Sequence, residues 1–269
     1  MALKDITLGQ YFPGNTLLHR LDPRTKLLFT VAYIVALFLA KQVVSYAILF
    51  VLLAVLIAVS KVGIRSILRG MKPILIIVII TGLLNLFYTR GKGAPLVSFW
   101  IFTIYPEGIW AAVFMVLRIA MLITCTFLLT YTTSPILLTD GLEKLMGPLK
   151  TLHVPVHELS MMMSIALRFI PILVEETDKI MKAQMARGAD FESGNLIQRA
   201  KSMIPILVPL FISAFRRATD LAMAMEARCY RGGEGRTKMK PLKYHGADRV
   251  AYVLFFVYLA VLTVIRLAV

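Results

Sequence analysis

A few side-chain types at fixed spacings could carry chemistry in this 269-residue chain. His153-x-x-x-His157-Glu158 brings two imidazoles and a carboxylate close together. The zinc-protease pattern needs its Glu directly after the first His, on an unbroken helix. Here Pro155 interrupts the helix that would align the pair, so the stretch reads as a turn where a helix begins, and no metal site is expected. The phosphate-cradling pattern G-x-x-x-x-G-K-[ST] is absent. Gly91-Lys92 is the nearest fragment, and it lacks the upstream glycine and the following hydroxyl. Energy from ATP would have to come from a partner. No clustered catalytic groups appear, so the chain does not read as an enzyme, and no cofactor is expected. Cys125 lies in an apolar run and Cys229 in a basic segment, a placement that suggests neither a disulfide nor a metal site. Arg118 stands midway along an apolar run, where a charge is expensive and marks function by default. It reads either as part of a substrate path or as a structural contact, an ion pair or a bond to exposed carbonyls.

The remaining signal is a repeat. Ile170-Pro171-Ile172-Leu173-Val174 recurs as Ile204-Pro205-Ile206-Leu207-Val208. Each copy leads to Thr-Asp (Thr177-Asp178, Thr219-Asp220) and then to Ala-Arg (Ala186-Arg187, Ala227-Arg228). Pro171 to Arg187 is 16 residues and Pro205 to Arg228 is 23. The difference of about two helical turns leaves each arginine on a similar face. Gly188 follows the first copy, and Arg231-Gly232-Gly233 lies beyond the second as its expected stop. One reading is helix capping, since a cation near a helix C-terminus gains roughly 0.3–1 kcal/mol. The other is a pair of docking tips, and two similar tips suit a pseudo-symmetric dimeric partner.

The elements behind these residues are membrane-like. Hydrophobic residues make up 58% of the chain, beyond the roughly 45–50% of soluble domains, and the mean hydropathy is +0.77. The net charge of +15 sits between apolar runs, the pattern that the positive-inside rule produces rather than a nucleic-acid surface. Five spans are expected. Leu27–Ala40 is long enough only if it starts near Arg24 with snorkelling basic side chains, and Val43–Ser60 follows a tight Lys41-Gln42 turn. Lys61, Arg65, Arg69 and Lys72 form a short amphipathic piece, after which Pro73–Tyr88 opens on a proline. Residues 89–106, with Phe99, Trp100, Phe102 and Tyr105, read as an outer loop containing a small hairpin. Glu107–Tyr131 and Val250–Val269 complete the set.

The segment 132–248 is amphipathic rather than loop-like, with long helices over Leu159–Ala186 and Leu196–Arg228. The organisation expected is therefore an N-terminal membrane domain of four spans (1–131), a cytoplasmic amphipathic domain (132–248) and a final span (249–269). Basic residues of the leader and the 61–72 loop put the N-terminus and the 132–248 segment inside and the C-terminus outside. Ten of the fourteen methionines fall between 146 and 239, among them Met161-Met162-Met163. They read as an adaptable partner surface or as gap filling in a helical core.

The leader Gly9-x-Tyr11-x-Pro13-Gly14-x-x-x-Leu18-His19-Arg20-Leu21-Asp22-Pro23-Arg24-Thr25-Lys26 resembles the N-terminal signature of the T component of energy-coupling-factor (ECF) transporters. The two Ala-Arg tips resemble that family's paired Ala-Arg-Gly motifs, and the similarity covers the whole chain. The resemblance implies an all-α membrane protein with about five transmembrane helices and two long crossed cytoplasmic coupling helices. It implies a scaffold in the bacterial or archaeal cell membrane that joins two ATP-binding-cassette ATPases to a substrate-binding membrane S component. ATP would be bound by the partners, and the cargo would be a vitamin or metal ion. The ATPase-coupling positions carried over are Ala186, Arg187, Gly188, Ala227 and Arg228, with Cys229 in place of the consensus glycine. Met161, Met162 and Met163 are the candidate S-component contact.

Overall fold

The computed structural model describes residues 11–40, 42–89, 97–99, 102–191, 193–233, 239 and 241–268. Gly9, Lys41, Gly91-Lys92 and Trp100 lie outside the described residues. These residues divide into two compact units, one within Gly9–Leu142 and Leu242–Val269, the other within Glu143–Pro241.

The first unit is a helical bundle with one small hairpin. A single turn, α1 (Leu17–Arg20), precedes α2 (Pro23–Leu39), which begins where sequence chemistry favours it. Asp22 is the N-cap and accepts the Arg24 amide, and Pro23 fills the first helical position. Then come α3 (Val43–Ser60) and α4 (Ile64–Tyr88). The expected amphipathic piece and third span are one continuous helix, with Pro73 in its interior. Proline removes one hydrogen bond, a loss that membrane helices tolerate because neighbours re-satisfy the freed carbonyl. Strands β1 (Val97–Phe99) and β2 (Phe102–Ile104) pair antiparallel as the expected hairpin, with Val97 opposite Ile104. α5 (Pro106–Thr132) follows, then α6 (Pro135–Leu145); α10 (Gly246–Ala268) closes the chain.

The core of this unit joins α2, α3 and α5 through Tyr33, Leu37, Tyr46, Leu49, Leu53, Met121 and Cys125, with Tyr258 and Leu259 of α10 packed against it. α4 lies antiparallel along α5 at glycines. A Cβ on Gly82 would sit 2.9 Å from Val116, and one on Gly108 would sit 2.9 Å from the Leu86 carbonyl. Small residues that let backbones approach are how helices associate where the solvent is as apolar as the side chains. The outward faces are apolar, including Val31, Val35, Val51, Ile76, Ile77 and Leu84.

Among the described residues five helices are long and apolar enough to cross a membrane: α3, α4, α5, Val156–Ala186 and Ile197–Ala227. The number matches the expectation and the membership does not. α2 has only 17 residues, α10 is not among the five, and the two long helices expected to be cytoplasmic are. Their apolar faces give them the same span-like length and composition as α3, α4 and α5.

Candidate docking tips at two helix ends

The second unit is built on two long helices. A 3-10 turn (Gly147–Leu152) leads into α7 (Val156–Ala186), and α8 (Leu196–Ser202) precedes α9 (Ile204–Ala227). The capping box of Asn195 and Gln198 starts α8. α7 and α9 run antiparallel. Gln184 Nε2 donates to the Pro205 carbonyl at 3.5 Å, and Arg217 Nη2 meets Glu176 Oε2 at 3.3 Å. A cavity of about 270 Å³ between them is lined by Ile165, Phe169, Leu173, Leu221 and Met225. From the Gln184–Pro205 contact to the Ile165–Met225 level is about 20 residues, so the two helix C-termini stand roughly 30 Å apart at opposite ends of the pair.

Both helices stop in the same way. Arg187 is the C-cap of α7 (φ −88°, ψ 5°), and Gly188 then turns left-handed at φ 87°. The Ala189 amide returns to the Gln184 carbonyl at 3.0 Å and the Gly188 amide to Met185 at 3.0 Å. Arg228 is the C-cap of α9 (φ −94°, ψ 16°), followed by left-handed Cys229 at φ 55°. The Tyr230 amide returns to Met225 at 3.0 Å and the Cys229 amide to Glu226 at 2.8 Å. These are two copies of the Schellman stop, which satisfies carbonyls that a helix end otherwise orphans. The turn expected from Gly232-Gly233 is thus made earlier, by Cys229 itself. Ala186, Arg187, Gly188, Ala227, Arg228 and Cys229 are all exposed. Their amides bond the preceding turn, Arg187 to the Gln184 carbonyl and Arg228 to the Met225 carbonyl, while among the described residues neither guanidinium has a hydrogen-bonding or ionic partner.

The surroundings of the two tips differ. A Cβ on Gly188 would meet nothing within 4 Å, whereas one on Gly233 would collide with the His157 ring. That ring is fixed by Glu143, whose Oε1 lies 3.1 Å from Nδ1 and whose Oε2 accepts Ser160 at 3.0 Å. His157 therefore braces the chain that leaves the second tip. His153 turns left-handed at φ 59° ahead of α7, as the turn reading expected. Among the described residues no group of three or more His, Cys, Asp or Glu could hold a metal ion. Met162 and Met163 are exposed and Met161 is half-buried. On α9 the exposed residues Ile204, Leu207, Val208, Phe211, Ile212 and Phe215 form one apolar stripe at helical spacing. The sequence marks the start of this helix as an apolar half that lies against the membrane or another helix, and the three-and-four spacing of the stripe is readable there.

The leader signature is placed in the first unit. Asp22 is 4% exposed and binds Arg24 through Nη2 at 2.8 Å. Burial pushes the Asp22 carboxyl up, but the hydrogen bonds and charge of Arg24 outweigh it and hold the carboxyl below its usual value. The fully buried Asp248 accepts the Asp22 amide and the His245 amide, each at 2.8 Å, which ties the start of α10 to the start of α2. Lys26 Nζ donates to the Thr132 carbonyl at 2.9 Å, at the end of α5, and Arg24 lies 3.9 Å over the Tyr244 ring. Asp248 and Tyr244 escaped the sequence reading. Their only signal was an acid standing just ahead of the last apolar run.

Arg118 makes structural contacts. Its Nε donates to the Tyr46 hydroxyl at 2.8 Å and its Nη2 to the Ala40 carbonyl at 3.4 Å, at the exposed-carbonyl end of α2. The guanidinium also stands 5.7 Å from the Phe38 and Tyr46 rings.

Comparison with known proteins matches residues 14–239 to the family model of cobalt transport protein CbiQ. The chain is 58% identical over 249 residues to the energy-coupling factor transporter transmembrane protein EcfT of Clostridium kluyveri, covering 93% of this chain and 92% of that protein. It is 55% identical over 256 residues to the protein of that name from Thermosediminibacter oceani, covering 93% and 94%. With the one from Bacillus subtilis it shares 48% over 264 residues, covering 98% and 99%. An all-α multi-pass chain with the leader signature and twin arginine helix stops, matched over nearly its whole length, belongs to the family of ECF transporter transmembrane components.

Proposed function

We propose that this chain couples ATP hydrolysis by two partner ATPases to uptake of a vitamin or metal ion through a membrane S component. The observation that carries the reading is the matched pair of stops at Arg187-Gly188 and Arg228-Cys229. They are exposed, alike in backbone, and stand at opposite ends of one antiparallel helix pair. Two similar tips suit two similar grooves on an ATPase dimer, with Ala186 and Ala227 leaving room for close approach. Each guanidinium would make charge-assisted hydrogen bonds to acceptors in its groove. When ATP closes the ATPases, the tips move relative to each other, and the helix pair carries that motion to the surface holding the S component. Met161, Met162, Met163 and the α9 stripe are the faces we assign to that membrane partner. ATP is bound by the partners, so this subunit works without a cofactor of its own. The N-terminus and the 132–248 segment lie on the cytoplasmic side of the cell membrane in this reading.

The test is co-purification of the tagged chain from native membranes beside Arg187→Glu/Arg228→Glu. Wild type should bring two ATPases and a small membrane protein, and the double variant should lose the ATPases. Truncating one partner of a buried charged pair costs about 2–5 kcal/mol, enough to empty the complex during washing. A wild-type chain that purifies alone and still moves a solute in vesicles would sink the scaffold reading.

A further inference from the structure

α4 contains no Asp or Glu, yet its first turns hold Arg65, Arg69 and Lys72. All three are exposed. Among the described residues none of their side chains has a hydrogen-bonding or ionic partner. Spacings of four and three put them on one face of the helix. The same face continues as Ile76, Ile79 and Leu83, which are exposed too. The opposite face holds buried Ile67 and Val78, with Gly70 against Phe127 and Gly82 against Val116 of α5. A cationic row and an apolar row thus lie end to end on the side of α4 turned away from α5.

Two contacts set the depth of the cations. The Tyr131 hydroxyl donates to the Ser66 carbonyl at 3.4 Å, and Thr124 Oγ1 lies 3.9 Å from Met71 Sδ. Arg69 therefore stands level with the 124–131 stretch of α5. At their other ends the two helices carry exposed Tyr88 and Trp110, the residue types that mark the membrane–water interface. A hydrocarbon core of about 30 Å takes ~20 helical residues. Counted from Tyr88 it ends near Leu68, and counted from Trp110 it ends near Thr130. Both positions fall beside the Ser66–Tyr131 contact, so the two helices agree on one boundary. Arg65 lies on its polar side. Arg69 and Lys72 start just inside it, Lys72 by about 6 Å. Their Cβ bonds tilt toward the helix N-terminus, so their stems lead the charges back to the headgroups. Ile76, Ile79 and Leu83 run on into the hydrocarbon.

We propose that this face of α4 binds one anionic phospholipid, its phosphate held by Arg65, Arg69 and Lys72 and an acyl chain laid along Ile76, Ile79 and Leu83. At these spacings neighbouring Cβ atoms are about 5–6 Å apart, so three side chains can converge on one phosphate. Guanidinium forks match its oxygens and the ammonium adds a point charge. Like charges so placed repel one another until an anion sits among them. Charge also selects the headgroup. A zwitterionic lipid brings an ammonium for which α4 offers no carboxylate, whereas a headgroup of net negative charge leaves no cation unanswered. A soluble acidic protein would meet the cations and miss the apolar row. Basic residues in a loop orient a chain by number alone; here their register with an exposed apolar row makes a site.

The full chain, carrying Cys229→Ser and a bimane label at Ile79→Cys or Ile77→Cys, is reconstituted in mixed phosphatidylcholine–phosphatidylglycerol vesicles. Bromine is placed on the acyl chains of one lipid or the other. Ile77 is exposed two residues away, on a different face at nearly the same depth, and serves as the reference. Brominated phosphatidylglycerol should quench the label at 79 several-fold more than brominated phosphatidylcholine does, while at 77 the two quench alike. The same ratio at both positions overturns the proposal with all three cations intact. Arg65→Gln/Arg69→Gln/Lys72→Gln should abolish the excess at 79. Lys150→Gln/Lys201→Gln/Lys243→Gln, which removes equal charge from exposed positions elsewhere, should keep it. An excess that survives the first triple variant, or is lost equally in both, overturns the phosphate contact. An excess missing when the chain is purified with its native partners would assign the face to protein and overturn the lipid.

Discussion

At Cys229 the backbone adopts the left-handed turn that Gly188 makes at the other tip, although a Cβ makes that conformation cost roughly 1–2 kcal/mol. Its side chain is exposed and short, so the cost is at the low end, and the two amide returns to Met225 and Glu226 hold it in place. Cys229→Gly should leave stability within about 1 kcal/mol of wild type, whereas Cys229→Val, β-branched at positive φ, should lose about 1–2 kcal/mol locally. Hydrogen exchange at the Tyr230 amide reads this, and a Val variant as protected as wild type would contradict it. Asp22 makes a second residue-scale case. Its carboxyl is held below the unfolded value of 3.8, so its contribution is fully present above that pH and is lost as pH falls through the lower folded value. Asp22→Asn should therefore flatten the acid limb of a detergent unfolding profile; an acid limb as steep as wild type would argue that other carboxylates carry it. The leader motif was readable as a family signature, but the reason for its residues was not. Asp22 and Lys26 are fixed by Asp248 and Thr132, which lie more than a hundred positions away and have no local pattern linking them.

At the scale of elements, glycines decide how closely helices approach. Gly108 faces backbone rather than a movable side chain, with Leu86 O 2.9 Å and Thr89 O 3.3 Å from where a Cβ would be. Gly108→Val should separate the ends of α4 and α5 and cost about 1–3 kcal/mol, the range for overpacking, in thermal unfolding of the purified chain. At the other end of the molecule's chemistry, Gly233→Val should displace the segment after the second tip by collision with His157. Adding His157→Ala should restore it, and ATPase co-purification would read both; a double variant no better than the single would rule out the brace. The existence of α3, α5 and the two long amphipathic helices followed from run length and periodicity. The merging of residues 64–88 into one α4 did not, because Pro73 is a start signal locally and an interior residue only when neighbours compensate its lost bond. Likewise α7 and α9 read alike as sequences, but their antiparallel pairing rests on Gln184–Pro205 and Glu176–Arg217, contacts between positions 21 and 41 residues apart.

For the whole molecule, the two native cysteines test the proposed orientation. Cys229 is exposed and Cys125 is 6% exposed in the core of the bundle. A membrane-impermeant maleimide should label Cys229 in inside-out vesicles stripped of the partner ATPases and not in intact cells, while Cys125 should react only after denaturation. Labelling of Cys229 from outside would reverse the topology and with it the ATPase-docking role. The sequence by itself determined the class of molecule: apolar runs, the basic loops between them, the twin Ala-Arg ends and the leader signature are all local, and physics acts on them residue by residue. Tertiary structure decided what those features are joined to. Which helix ends early, what neutral groups hold Arg118, which residue makes the second left-handed stop and which tip is braced depend on side chains that only packing brings within reach. A linear pattern carries no record of those distances.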